Sequence, residues 1–206
     1  MLDRHLHPRI KPLLHQCVRV LDKPGITPDG LTLVGFAIGV LALPFLALGW
    51  YLAALVAILL NRLLDGLDGA LARRRGLTDA GGFLDISLDF LFTRWCLLGL
   101  SLPHRSKNAL AGGWLLFAFI GTGSSFLAFA ALAAKHQIDN PGYAHKSFYY
   151  LGGLTEGTET ILLFVLGCLF PAWFAWFAWI FGALCWMTTF TRVWSGYLTL
   201  KSLQRQ

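Results

Sequence analysis

Four aspartates carry the clearest chemical signal in this sequence, because they stand in two pairs at helical spacing. Asp65 and Asp68 are three residues apart, and Asp85 and Asp89 are four apart. An α-helix has 3.6 residues per turn, so the members of each pair share one helix face. The segment that joins the two pairs, residues 73–80, is short. The spacing therefore predicts two antiparallel neighbouring helices whose carboxylates converge.

Carboxylates that converge repel one another unless a cation lies between them. Oxygen ligands without His or Cys select Mg²⁺, Mn²⁺ or Ca²⁺ rather than Zn²⁺. Four carboxylates suffice for two ions about 3.5–4 Å apart, an arrangement that clamps phosphate oxygens during in-line displacement. Gly69, Ala72 and Gly81 lie on the faces of the aspartates and leave room for a ligand, with tight helix packing as the alternative role of a glycine.

The aspartates lie in a chain whose composition is that of a membrane protein. Its 206 residues are 56% hydrophobic and only 14% charged, against about 25% charged residues in soluble domains. Three segments carry no charge at all: residues 31–60, 109–134 and 161–191. A bilayer span needs about 20 apolar residues, and a soluble helical core would show a polar stripe. A carboxylate within a span costs about 2.5–3.5 kcal/mol, so these aspartates indicate a functional site.

The apolar pattern predicts an all-α integral membrane protein with six transmembrane helices and an N-terminal cytoplasmic amphipathic helix. The predicted spans are 31–48, 52–72, 81–102, 110–134, 150–170 and 173–198. We expect a single domain over residues 1–206, with the six-helix bundle at 31–199. Residues 1–26 hold the amphipathic helix, which lies in the membrane interface or packs on the cytoplasmic ends of the bundle.

The distribution of Lys and Arg predicts that both termini and the active site face the cytoplasm of a bacterium. If the N-terminus is inside, the opposite side holds only Arg105 and Lys107, whereas the arginines at 73–75 and both basic termini fall inside. The net charge of +6 thus reflects topology, and no nucleic acid is expected as a partner. The four cysteines form no CxxC pair and are expected to be small core residues.

The aspartate segment resembles the signature of the CDP-alcohol phosphotransferase family. The sequence DGLDGALAR from Asp65 to Arg73, followed by Gly81, Asp85 and Asp89, is similar to the family pattern DxxDGxxAR…GxxxDxxxD. Seven residues separate Arg73 from Gly81, one fewer than is usual in the family, and the difference falls in the turn. The stretch at residues 27–29 resembles the family's Pro-Asn pair, with Asp in place of Asn.

The resemblance implies a reaction and roles for individual residues. Asp65, Asp68 and Asp85 would be metal ligands, and Asp89 would be both a ligand and the general base for the acceptor hydroxyl. The cofactor would be two Mg²⁺ or Mn²⁺ ions. The residues that would line the cytidine-diphosphate site are Gly69, Ala72, Arg73 and Gly81. The expected reaction moves a phosphatidyl group from CDP-diacylglycerol to a small alcohol or polyol and releases CMP, in a homodimer.

The acceptor is open at the level of sequence. Phosphorylated acceptors need basic side chains, and Lys135, Lys146 and Arg192 lie near the cytoplasmic ends of the later spans, although snorkelling would also place them there. Glu156 and Glu159, in a run rich in hydroxyl and small residues, would suit a polyol or an amine. Their alternative role is a polar seam between helices.

Three other functions compete with this prediction. The same chemistry could move a phosphoalcohol from a soluble CDP-alcohol to diacylglycerol. Intramembrane carboxylates also occur in ion transporters, and a membrane scaffold could keep the fold without catalysis. The tight aspartate cluster beside three arginines, with all four aspartates intact, favours the enzyme.

Overall fold

The structure, a computed structural model, describes residues 14, 16–19, 21–136 and 153–203, and all regular secondary structure within them is helical. The helices are α1 (Pro28–Val40), α2 (Ala42–Ala47), α3 (Tyr51–Arg75), α4 (Asp79–Ser101), α5 (Arg105–Lys135), α6 (Gly157–Leu169) and α7 (Phe174–Leu203), with a 3-10 turn at Pro171–Trp173 before α7. The predicted all-α class is confirmed over these residues.

Three helical segments are long and apolar enough to cross a membrane, judged by length and composition: Pro28–Ala47, Arg105–Lys135 and Pro171–Ser202. The long helices α3 and α4 instead carry the four aspartates of the signature and five arginines. Helix α6 has 13 residues, about 20 Å at 1.5 Å per residue, against a hydrocarbon core of about 30 Å. It begins at Gly157, later than the predicted start at 150. Six crossings therefore stay a prediction.

The first apolar segment is interrupted at Leu41, where α1 ends and α2 begins. Pro44 lies in α2, and its ring nitrogen cannot donate to the carbonyl of Val40 one turn earlier. The indole Nε1 of Trp95 on α4 donates to that carbonyl at 2.9 Å. The junction between α1 and α2 is thus stabilised by a side chain from the helix that carries Asp85 and Asp89.

Two threonines begin the helices that bracket the aspartate segment. Thr27 caps α1 by accepting from the backbone N–H of Gly30 at 3.0 Å, and Thr78 caps α4 by accepting from that of Gly81 at 3.1 Å. A Cβ atom at Gly81 would lie 3.0 Å from Oδ1 of Asp29. The N-termini of α1 and α4 therefore lie side by side.

The C-terminus of α3 lies at the same end of the bundle. Asp22 pairs with Nε of Arg74 at 2.9 Å and with Nη2 of Arg75 at 2.7 Å. Arg75 also donates to the backbone carbonyls of Ile26 and Lys23. These contacts fasten the segment before α1 to the end of α3, so that the three helices meet where the arginines at 73–75 lie.

Most of the predicted amphipathic helix lies outside the described residues. Its described part is helical at residues 16–19, and Val18 is buried in a cluster with Leu67 and Leu71 of α3. This part packs on the bundle. The prediction that the cysteines are core residues is confirmed for Cys96, Cys168 and Cys185, which are free thiols in the buried core, and is wrong for Cys17, which is exposed.

Two glycines one turn apart let α1 approach α3 and α4. A Cβ atom at Gly35 would lie 3.1 Å from Cβ of Leu64, and one at Gly39 would lie 2.6 Å from Cδ2 of Phe92 and 2.9 Å from Nδ2 of Asn61. Small residues at this spacing allow close contact between membrane helices. The approach brings the backbone of α1 within hydrogen-bonding reach of α3.

We expect Gly39→Ala to lower the free energy of unfolding by about 1–3 kcal/mol, because the added methyl group overpacks the contact with Phe92. Thermal unfolding of the purified protein in detergent measures the change. Gly113→Ala is the matched control, since no atom lies within 4 Å of a Cβ built there. Equal stability of the two variants would contradict the close approach at Gly39.

Candidate active site

The four aspartates of the signature line one small pocket between α1, α3 and α4. Its walls are formed by Thr32, Gly35, Phe36, Asn61, Arg62, Asp65, Asp68, Asp85, Leu88 and Asp89. Helix α1 supplies the first three residues, α3 the next four and α4 the last three. The convergence that helical spacing predicted is present, and α1 closes a third side of the pocket.

Asp68 is the most deeply buried of the aspartates, with 3% of its surface exposed. The hydroxyl of Thr32 lies 2.5 Å from Asp68 Oδ2 and 3.1 Å from the carbonyl of Pro28, one turn earlier on α1. A hydroxyl has a single proton, so only one of these oxygens can accept it at a time. When the hydroxyl donates its hydrogen bond to Asp68, it satisfies one carboxylate oxygen in a place that water reaches poorly.

Arg62 introduces a positive charge that the sequence analysis did not place in the site. Its Nη1 donates to Oδ1 of Asp89 at 2.5 Å, and its Nη2 lies 3.8 Å from Oδ1 of Asp65. Converging carboxylates are expected to need a cation between them, and this guanidinium already neutralises part of their charge. Its signal in the sequence was its position one turn before Asp65.

The donor set fits a hard divalent cation. The acidic groups are carboxylates, with the Thr32 hydroxyl beside them, and no His or Cys lines the pocket. Within the described part of the chain, no three His, Cys, Asp or Glu side chains are grouped closely enough to hold an ion as they stand. Oxygen donors of this kind select Mg²⁺ or Mn²⁺.

The four residues expected to contact the nucleotide lie toward the end of the bundle that carries the arginines. Arg73 is exposed and folds back along α3, so that its Nη1 would lie 3.3 Å from a Cβ atom at Gly69. Ala72 is half-buried beside them. Gly81 lies across from these residues, at the start of α4 and next to Asp29.

The basic acceptor candidates have different surroundings. Arg192 on α7 is 7% exposed; its Nη1 donates to the carbonyl of Thr122 on α5 at 3.2 Å, and its guanidinium lies 5.7 Å from the ring centre of Phe126. Lys135 is exposed in the last turn of α5. Lys146 lies outside the described residues. Arg192 is thus held between two helices, whereas Lys135 faces outward.

The two glutamates expected near the acceptor form the N-terminal cap of α6. The Glu156 carboxylate accepts from the backbone N–H of Gly153 at 3.2 Å and from that of Glu159, and the Glu159 carboxylate accepts from the backbone N–H of Glu156 at 3.1 Å. This reciprocal capping box satisfies donors that a helix start leaves unpaired. Neither glutamate is among the residues that line the aspartate pocket.

A fully buried hydroxyl ties the start of this cap to α7. Oγ1 of Thr188 accepts from the backbone N–H of Leu154 at 3.1 Å and from that of Thr155 at 3.2 Å. Its distance to Oγ1 of Thr155 is 3.0 Å. Thr188 lies one turn before Arg192 on α7, so the glutamate cap and Arg192 belong to one assembly between α5, α6 and α7.

Comparison with known proteins agrees with this geometry. The family model described as CDP-alcohol phosphatidyltransferase matches residues 25–194, and the chain belongs to this family. It is 93% identical to the inner membrane protein YnjF of Escherichia coli (strain K12), over all 206 residues and the full length of both chains. It is also 38% identical over 98 residues to the archaetidylinositol phosphate synthase of Pyrococcus horikoshii, covering 47% of this chain and 52% of that one.

The fold is also that of solved structures. Phosphatidylinositol phosphate synthase of Mycobacterium tuberculosis, with CDP-DAG bound, matches with a TM-score of 0.71 and 22% identity, covering 90% of this chain and 94% of that one. The same enzyme in complex with manganese and citrate matches with a TM-score of 0.70 and 22% identity, covering 89% of this chain and 88% of that one. At this identity the likeness establishes the fold.

We expect Thr32→Val to lower any activity of the aspartate site by about ten- to a hundredfold, because Asp68 loses a hydrogen bond worth about 1.5–3 kcal/mol to a charged acceptor. Thr32→Ser keeps the hydroxyl and should retain most of the activity. Thr191→Val, at an exposed position on α7, controls for the loss of a threonine hydroxyl in an apolar helix. The measurement is CMP release by purified protein; an effect of Thr32→Ser as large as that of Thr32→Val would contradict the role of the hydroxyl.

Proposed function

We propose that this protein moves a phosphatidyl group from CDP-diacylglycerol to a small alcohol or polyol, with release of CMP. The observation that carries the proposal is the convergence of Asp65, Asp68, Asp85 and Asp89 on one pocket, in a chain of the CDP-alcohol phosphatidyltransferase family. The reaction would take place in the cytoplasmic membrane of a bacterium, with both termini and the pocket facing the cytoplasm.

The same four aspartates would hold two Mg²⁺ or Mn²⁺ ions. Their oxygen-only donor set supports hard cations. The Mycobacterium tuberculosis enzyme that was solved in complex with manganese and citrate has the same fold. When bound, the ions would neutralise the diphosphate of the donor and stabilise the departing CMP. Thr32 would keep the Asp68 carboxylate oriented in the pocket by its hydrogen bond.

Asp89 would take the proton from the acceptor hydroxyl. Its side chain is 34% exposed, and it lies farther along α4 from the arginine end than Asp85. A base must reach both the pocket and an incoming hydroxyl, and this partly open position supports that role. Asp68, which is nearly closed off, suits a ligand better than a base.

Gly69, Ala72, Arg73 and Gly81 would receive the cytidine diphosphate. They lie between the aspartates and the arginine end of the bundle, where the polar cytidine-diphosphate head of a lipid could lie. Arg73 is exposed and close to Gly69, so its guanidinium can turn toward a phosphate without leaving a partner buried. The relative from Mycobacterium tuberculosis was solved with CDP-DAG bound, which supports a CDP-linked lipid as the donor.

A phosphorylated polyol is the acceptor class that the observations favour. Arg192 is a buried guanidinium between α5 and α7, and the relative from Pyrococcus horikoshii is named as a synthase of archaetidylinositol phosphate. Lys135 and Lys146 would add positive charge that favours a phosphorylated acceptor. Glu156 and Glu159 would contribute to acceptor binding by holding the start of α6 in place through the cap that they form. A homodimer is expected for the family.

The proposed reaction is tested by release of CMP from CDP-diacylglycerol with a panel of acceptors: inositol phosphate, glycerol 3-phosphate, inositol, serine, phosphatidylglycerol and diacylglycerol. We expect a new lipid product with a phosphorylated polyol, strict dependence on Mg²⁺ or Mn²⁺, and loss of activity with EDTA. If a product forms only when a soluble CDP-alcohol is supplied with diacylglycerol, the proposal is replaced by the alternative reaction, in which a phosphoalcohol is moved from the CDP-alcohol to diacylglycerol. Metal binding without any CMP release would favour a transporter or a scaffold.

We expect Asp89→Asn to lower CMP release at least about a hundredfold, the scale of general acid–base catalysis, while CDP-diacylglycerol still binds. Asp79→Asn is the matched control, because Asp79 is an exposed carboxylate on the same helix and its loss should leave the rate unchanged. Turnover by Asp89→Asn close to that of the wild type would remove Asp89 from the role of base.

A further inference from the structure

Arg62 is held against the aspartates by contacts on several sides, so its place in the pocket is built by the fold. Its Nε and Nη2 donate to the side-chain oxygen of Asn61 at 2.9 and 2.6 Å, and its Nη1 donates to Asp89 at 2.5 Å. The guanidinium also lies 4.5 Å from the ring centre of Phe92. Only 17% of the side chain is exposed. A snorkelling arginine would extend toward the interface instead.

The neighbour that orients the guanidinium is itself fixed. Asn61 is 4% exposed, and its Nδ2 donates to the backbone carbonyl of Gly35 on α1 at 2.9 Å. This contact orients the amide so that its oxygen faces Arg62. Phe92, which lies against the guanidinium, is 1% exposed and packs against Gly39. The close approach of α1 described above therefore sets the position of a charge on α3.

The Asp89 carboxylate can interact with two positively charged groups, the Arg62 guanidinium and a divalent cation. Asp89 is one of the four residues proposed to bind divalent cations, and it accepts a hydrogen bond from Arg62. A guanidinium bonded to a carboxylate occupies one of its oxygens and repels a second cation that approaches it. The repulsion is strong in a partly buried site, where charges are poorly screened.

We propose that Arg62 is a built-in counter-ion that competes with divalent cations for Asp89. In the metal-free protein it neutralises Asp89 and, more weakly, Asp65; when cations bind, the guanidinium gives up Asp89 while Asn61 keeps it nearby. Arg62 is a positioning residue in this scheme, because it acts on the metal site through Asp89. The inference rests on the metal site of the proposed function, but it does not depend on the identity of the acceptor.

The consequence is that the protein binds metal less tightly than its four carboxylates alone would allow. Removal of the positive charge should tighten binding, whereas the loss of an ordinary structural arginine would weaken or spare it. Lysine keeps the charge but is a flexible point donor that cannot hold the forked contact with Asn61 and Asp89. Its substitution should therefore have an intermediate effect.

The test is the binding of Mn²⁺ alone to the purified full chain in detergent, followed by the electron paramagnetic resonance signal of the free ion. We expect Arg62→Gln to lower the Mn²⁺ dissociation constant about tenfold or more, since it removes a close like charge from a poorly screened site. Arg62→Lys should bind more tightly than the wild type and less tightly than Arg62→Gln. The second variant decides the order if the first fails to fold.

Arg94→Gln is the matched control. Like Arg62, Arg94 on α4 is partly buried. It differs in that it donates to the backbone carbonyls of Phe90 and Phe119 and does not line the pocket. Its substitution should change Mn²⁺ affinity much less than that of Arg62. Folded Arg62 variants that bind Mn²⁺ no more tightly than the wild type would overturn the proposal, as would an equal effect of Arg94→Gln.

A CMP-release assay on the same wild-type preparation separates this proposal from the proposed function. Tighter Mn²⁺ binding by the Arg62 variants, in a wild type that releases no CMP with any acceptor, would support the counter-ion and overturn the transferase. CMP release without any effect of Arg62 on affinity would overturn the counter-ion alone. Failure of the wild type and of both variants to bind Mn²⁺ would overturn both proposals.

Discussion

The need to neutralise charge inside apolar helices governs the half of the molecule built from α1, α3 and α4. Asp68 receives a hydroxyl from Thr32, and Asp89 receives a guanidinium from Arg62. Each contact joins two different helices, so the aspartates hold the helices together as well as forming a candidate site. Without such partners, the transfer of these carboxylates from water into an apolar environment would cost several kcal/mol.

The packing of α1 follows from the same need. Small residues at Gly35 and Gly39 bring its backbone close enough to accept a hydrogen bond from Asn61 and to support the ring of Phe92. Those two side chains in turn hold Arg62. The sequence feature that looks least chemical, two glycines in an uncharged segment, is thus one step away from the charged pocket.

Local spacing explains what the sequence could predict. The shared face of Asp65 and Asp68 follows from their separation by three residues, and a short turn brings α4 back alongside α3. The contact of Thr32 with Asp68 joins residues 36 positions apart, and no local pattern encodes it. The capping role of Glu156 was hidden because continuous hydropathy predicted the fifth helix to begin at 150, whereas α6 begins at Gly157 and uses that glutamate as its cap.

The charged groups divide the molecule into two parts with different degrees of freedom. In the aspartate pocket, carboxylates and Arg62 bond to one another through side chains, which can exchange partners by rotation. Around α5, α6 and α7, Arg192 donates to a backbone carbonyl and Thr188 accepts from backbone N–H groups. Backbone partners cannot rotate away, so this second region is suited to holding a fixed shape. The proposed metal site would thus be able to rearrange its side chains, whereas the region around Arg192 keeps its geometry.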